Sequence, residues 1–255
     1  MMSILWREWR VLSRSLLTMT IHFVTPLFLL VFFATVMGNN VRSFSFNGDD
    51  VSYIAYFTPG LVGYVTFMTF QISMTFVRHD RMSGMLGIVC LSSGGLGGYL
   101  LGKLTSQIGI NVIKAVALVL LATAISAVGV KLLAFGNLIM FALAIVLGTA
   151  VWLSLGIAIA MLLKRDDVRE LITIMFSLPI AFASSMYYDV TRAPGWILGL
   201  SHLNPLTYVC NVARKAYLLP DHTAIDGDVL VLFFMVVVSV LLAFLASKRA
   251  SLTAG

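Results

Sequence analysis

Apolar and polar positions along this chain are sharply segregated. Long apolar runs alternate with short polar breaks, and the runs span about 18 to 26 residues, enough for a helix to cross the roughly 30 Å hydrocarbon core of a bilayer. Six spans are predicted, near Leu16–Met37, Ala55–Val77, Leu104–Val130, Leu138–Leu163, Leu171–Tyr187 and Val229–Ala246. The runs are continuously apolar, whereas barrel strands alternate in polarity, so helices are expected. The predicted fold is an all-α integral membrane domain over residues 1–255, without a cleavable signal peptide.

Residues 1–15 read as an amphipathic helix ahead of the first span. Leu5, Trp9, Leu12 and Leu16 share one face, and Arg7, Arg10 and Arg14 lie opposite. Such a helix lies in the membrane interface, either as an anchor or in touch with a partner.

Composition adds orientation. The chain carries 17 Lys/Arg and 11 Asp/Glu. With six spans, one side holds Arg7, Arg10, Arg14, Arg78, Arg81, Lys103, Lys164, Arg165, Arg169, Lys248 and Arg249. The other holds Arg42, Lys131, Arg192, Arg214 and Lys215. Eleven against five, over short loops, predicts both termini on the cytoplasmic side. The basic balance therefore reflects topology and anionic lipid, not nucleic acid. Cys90 falls inside and Cys210 outside, so they cannot pair, and both read as packing residues.

Two breaks differ from plain connectors. The inner one, Arg78–Lys103, opens RHDRMSGMLG and continues through SSGGLGGYLLGK. The outer one, Asp189–Asp228, turns at Pro194-Gly195 and has a short helix expected at Trp196–Leu200. Asn204 is placed as N-cap and Pro205 at N1 of a second helix reaching toward Leu219. Its apolar character predicts a helical hairpin dipping back into the outer leaflet, over residues 189–228.

Chemistry of catalysis is missing from the pattern. Residues 97–104 match GxxxxGK, but Leu104 stands where a phosphate loop needs Ser or Thr, and no strand precedes it. Gly94, Gly98 and Gly102 are better read as a turn with close helix packing. No HExxH, GxSxG or intramembrane carboxylate pair occurs. His22 and His202 read as packing residues. Lys114 falls within span 3, deep if the span starts at Leu104 and interfacial if it starts near Ile110. The interfacial placement is the less costly. Phe23, Phe28, Phe32, Phe33, Phe67 and Phe70 crowd spans 1 and 2, as packing or as a cargo lining.

Four places together resemble the permease subunit of second-class ABC exporters, the drug, polysaccharide and nodulation-factor type. Phe57-Thr58-Pro59-Gly60-Leu61 is similar to its aromatic-x-PGL motif at the start of span 2. Asp80-Arg81-Met82-Ser83-Gly84-Met85-Leu86 is similar to its inner acidic-Arg-x-x-Gly-x-Leu segment. Gly102-Lys103-Leu104 resembles the entry to its third span. Pro194-Gly195-Trp196 with Asn204-Pro205-Leu206-Thr207-Tyr208 and Arg214 resembles its outer region. The order and six-span frame agree over almost the whole chain. The sequence departs from the pattern at Gly87, where an acid is usual, and at Ser185-Met186-Tyr187-Tyr188, where a proline is common.

The resemblance implies a non-enzymatic permease, paired with a second copy and with two copies of a separate ATPase that carry ATP and magnesium. No cofactor is expected on this chain. Arg78, Asp80, Arg81, Met82, Gly84, Met85 and Leu86 would contact the ATPase as a coupling helix. Pro194, Gly195, Trp196, Asn204, Pro205, Tyr208 and Arg214 would form the outer gate, with Phe57, Pro59 and Gly60 at the entry to span 2. A secondary transporter is the alternative, favoured by inverted repeats and broken helices that the sequence does not display. A membrane enzyme or a scaffold explains less.

Overall fold

The computed structural model describes residues 23–40, 44–46, 49–85, 87–88, 95–126, 135–163, 165–219 and 225–252. The amphipathic segment 1–15 and the first part of span 1 lie outside the described residues. Helix α1 covers residues 23–40 and includes a π-helical turn, Leu29–Ala34. A hairpin of β1 (Phe44–Phe46) and β2 (Asp49–Val51) follows, antiparallel with Phe46 opposite Asp49. Then come α2 (Tyr53–Met82), α3 (Gly95–Ser126), α4 (Phe135–Leu162) and α5 (Asp166–Phe182). The outer break holds a 3₁₀ turn (Val190–Arg192), α6 (Gly195–Leu203) and α7 (Pro205–Leu218), and α8 is Gly227–Leu252.

Among the described residues, four helices are long and apolar enough to cross a membrane: α2, α3, α4 and α8. The described parts of spans 1 and 5 form shorter helices. Span 5 is expected to run to Tyr187, but α5 stops at Phe182. The reason is local. The Ser184 hydroxyl donates to the Ala181 carbonyl at 2.6 Å and accepts the Met186 amide at 3.2 Å, giving the backbone partners outside the helix.

Helix α2 starts where the Ser52 hydroxyl accepts the Ala55 amide and ends at Gly84, whose φ of +69° suits glycine. Its 30 residues give a rod of about 45 Å. Helix α4 sits at the centre, packed against α2, α3, α7 and α8. Close approach is bought with missing side chains. A Cβ on Gly156 would lie 2.5 Å from the Phe70 carbonyl oxygen, and one on Gly148 would lie 2.7 Å from Thr66 Oγ1. Phe67 and Phe70 fill the seam beside these glycines, edge-on to Trp152 at 4.7 and 6.0 Å. The expected close packing at Gly98 is absent: a Cβ there meets nothing within 4 Å.

Helices α3, α5 and α8 turn apolar side chains outward, including Ile113, Leu120, Ile174, Leu178, Phe234 and Leu245. In water such a surface would be an interaction patch; in a chain with four helices apolar and long enough to span, such surface meets lipid tails or other helices. Residues 97–103, which match the start of a phosphate loop, lie within the continuous helix α3.

Candidate functional site

At the outer end, two distant motifs meet. Pro59 has no amide proton to donate inside α2, and the neighbouring carbonyls receive donors from α7. Arg214 Nε donates to the Tyr56 carbonyl at 3.2 Å and Cys210 Sγ to the Gly60 carbonyl at 3.4 Å. Arg214 Nη2 donates to the Ser185 carbonyl at 2.7 Å, and the guanidinium lies 3.8 Å above the Tyr56 ring. Only 2% of Arg214 is exposed, so its charge is held by carbonyl dipoles and a ring face. Gly60 leaves the space: a Cβ there would lie 2.7 Å from the Met186 carbonyl oxygen and 3.1 Å from Arg214 Nη2. Phe57 is buried beneath, packed on Tyr53, Phe33 and Tyr187 at 5.7, 5.6 and 5.8 Å.

The hairpin itself is fixed by Asn204. Its side-chain oxygen accepts the Leu206 amide at 3.0 Å, capping α7 with Pro205 at N1, as expected from sequence. Its amide group donates to the Ile180 carbonyl at 2.7 Å, covering an exposed end of α5. Tyr208 donates to the His202 carbonyl at 2.8 Å and so closes α6 onto α7. Trp196, Leu200 and Leu203 stay on the outward face of α6, with Trp196 following the Pro194 N-cap and Gly195. Lys215 bridges to Asp226 and, at 2.6 Å, to Asp228, pinning α7 to the start of α8. Both acids outweigh the effect of burial and raise the Lys215 pKa.

At the C-terminal end of α2, the segment expected to contact the ATPase divides into two faces. Asp80 points inward, nearly fully buried, where Tyr99 donates to Oδ2 at 2.9 Å and Lys103 Nζ pairs with it at 3.2 Å. Lys103 also lies 4.1 Å from the Phe76 ring centroid. Arg81 turns back onto α4, donating to the Leu163, Met161 and Ala160 carbonyls at 3.1, 3.2 and 3.4 Å. It thereby caps the end of that helix. Arg78, His79, Met82, Ser83, Gly84 and Ile88 face outward, with Met82 75% exposed, and Met85 is half-buried. Leu86 and Cys90 lie outside the described residues.

A polar line joins the inner end to the membrane interior. Lys103, Gln107, Asn111 and Lys114 follow one face of α3 and are all buried. Asn111 Nδ2 donates to Thr69 Oγ1 of α2 at 3.0 Å and to Thr149 Oγ1 of α4 at 2.9 Å. Lys114 is 6% exposed, well inside a helix that begins at Gly95.

The family model of the ABC-2 type transporter matches residues 1–218. The chain belongs to that family. It is the membrane-spanning permease component of an ABC transporter, a class that works with a partner ATPase. Comparison with curated proteins finds no match to the chain.

Within this ABC-2 permease, the structure brings Phe57, Pro59 and Gly60 together with Arg214, although about 150 residues separate Gly60 from Arg214 in sequence. It separates Asp80 and Arg81, which serve internal contacts, from Met82 and Gly84, which face outward. Sequence reasoning missed Tyr99, Asn111 and Ile88. Asn111 carried a signal, being a polar residue one turn from Lys114 on the same helical face. Of the crowded aromatics, Phe33, Phe67 and Phe70 pack against other rings inside the bundle, while Phe28 and Phe32 stack on each other at 4.5 Å on an exposed face.

Proposed function

We propose that this chain is the permease subunit of an ATP-driven exporter that moves an amphipathic, lipid-linked or drug-like substrate outward. Two copies pair, and each docks one ATP-hydrolysing subunit against the inner segment 78–103, with both termini on the cytoplasmic side of a prokaryotic plasma membrane. ATP and magnesium bind the partner, and this chain contributes no catalytic group. The observation that carries the reading is the inner segment. Its outward residues Met82, Ser83 and Gly84 follow directly on Asp80, which is bonded to Tyr99 and Lys103 and so to a polar line inside the bundle. A push on the tip therefore has a bonded route into α3 and α4. The outer hairpin α6–α7, locked to α2 by Arg214, would line the exit and dip into the outer leaflet.

Purification of the native complex from membranes tests the reading. A stoichiometric ATPase and vanadate-sensitive efflux are expected. Transport that ignores vanadate and follows an ion gradient would point instead to a secondary transporter. Gly84→Pro should uncouple ATP hydrolysis from transport while leaving insertion intact, and unchanged coupling would remove the inner segment from this role.

A further inference from the structure

Two lysines on the buried face of α3 are treated differently by the fold. Lys103 is neutralised where it stands, with Asp80 at 3.2 Å and the Phe76 ring centroid at 4.1 Å. Lys114 is as deeply enclosed, yet it makes no hydrogen bond, ion pair or ring contact among the described residues. Its depth follows from the register of α3 on α2. The two helices run antiparallel, with Lys103 paired to Asp80 and Asn111 bonded to Thr69. Three residues beyond Asn111, Lys114 stands about level with Thr66, the midpoint of the apolar run Ala55–Val77. A cation at such a depth is costly, and as a rule it has a partner or lines a route for charge.

Neutral groups surround it. Thr66 donates its hydroxyl to the Gly63 carbonyl at 2.7 Å. Gln107 Oε1 and Asn111 Oδ1, on the same face of α3, are buried and accept no hydrogen bond among the described residues. These amide oxygens can take hydrogens from an ammonium, but they carry no charge to balance it. Protein cannot supply the missing acid either. The 11 Asp and Glu residues all lie outside the six apolar runs, so neither this chain nor a second copy brings a carboxylate to this level. Lipid phosphates stay with the head groups, half a bilayer away. A molecule carried across the membrane, by contrast, must pass it. Helix α3 is also the one held loosely here, buried along little of its length, whereas α2 and α4 are buried along most of theirs. Asn111 ties it to Thr69 and Thr149 by neutral hydrogen bonds, weaker than the charged pair at Lys103.

We infer that Lys114 binds the acidic group of an amphipathic anion, a carboxylate or a phosphate, midway across the membrane. The inference rests on the reading of the chain as an exporter and gives its cargo a negative charge. Parting of α3 from Thr69 and Thr149, with the Lys103 end held, uncovers the ammonium, and the Gln107 and Asn111 oxygens take its remaining hydrogens.

The test uses the full-length chain in phosphatidylcholine vesicles and two photoactivatable probes. One is hexadecanoic acid with a diazirine near its carboxyl end, and the other is its methyl ester. Labelled positions are mapped by peptide mass spectrometry. At the level of Lys114 the acid should label about tenfold more than the ester, as expected for one hydrogen bond between charged groups. Lys114→Met removes a buried charge at similar side-chain length, so it should elute as a folded species and lose that excess. Lys248→Met, at an exposed lysine near the end of α8, should keep it. Equal labelling by acid and ester, labelling by neither at that level, or an excess that survives Lys114→Met would overturn the inference. Export is read separately on the native complex. Labelling without vanadate-sensitive efflux would leave an anion site and overturn its role toward cargo together with the export reading. Such efflux without labelling would overturn the site alone.

Discussion

Replacing Asp80 with alanine isolates the inner ion pair. At an effective dielectric near 20, opposite charges 3.2 Å apart attract by about 5 kcal/mol. Desolvating each ion costs several kcal/mol, so the intact pair is close to neutral in net stability. Removing one partner is different. Lys103 is 3% exposed, so Asp80→Ala leaves an ammonium buried without its carboxylate and Tyr99 without its acceptor. The expected cost is about 3–5 kcal/mol, and the Phe76 ring beside Lys103 favours the lower end of that range. In a chain of this size, that loss corresponds to an apparent melting point lower by roughly 6–20 °C. The assay is thermal unfolding of the full chain in detergent, followed by the fraction that still elutes as a folded species. The double variant Asp80→Ala/Lys103→Met removes the stranded charge and should recover most of the loss. If the two single losses simply add in the double variant, the carboxylate and ammonium are not coupled and the argument fails.

Three further outcomes follow from the packing. Gly60→Ala forces a methyl against the Met186 carbonyl oxygen and should cost about 1–3 kcal/mol by the same melting assay, whereas Gly98→Ala, with open space around it, should be neutral or stabilising by up to ~1 kcal/mol. Gly84→Ala imposes an αL conformation on a residue with a Cβ and should cost about 1–2 kcal/mol, read as faster proteolysis at the inner tip with α4 unaffected. Asn111→Leu removes two interhelical hydrogen bonds, each worth about 0.6 kcal/mol in a membrane, so a loss near 1 kcal/mol is expected. A much larger one would show that Asn111 serves a wider network.

What the sequence makes legible here is what is decided within a few residues. Asn204-Pro205 reads as a helix start because the cap and the fixed proline φ are local matters, and the structure places both as expected. The breaks at Arg78 and Asp189 are legible because charge and turn residues cannot continue a span. Asn47-Gly48 separates β1 from β2 in sequence, and that dipeptide is itself a local hairpin signal. Partnerships across the bundle are another matter. Nothing near Gly60 in sequence announces Arg214, and nothing near Asp80 announces that Tyr99 and Lys103 close over it. Among the glycines, spacing pointed to Gly98, but close approach is decided at Gly148 and Gly156, where α4 meets α2 and α7. Only helix orientation separates a crowded glycine from an open one.

Arg81 gives the inner end a mechanical character. Its guanidinium holds the final carbonyls of α4, and Asp80, its neighbour on the same turn, holds Lys103 of α3. One turn of α2 therefore grips two other helices. Any displacement of Met82 must carry the ends of α3 and α4 with it, or first break charged bonds on one side. That turn is a stiff joint, and bending would concentrate beyond it, at Gly84, where the backbone leaves the helix.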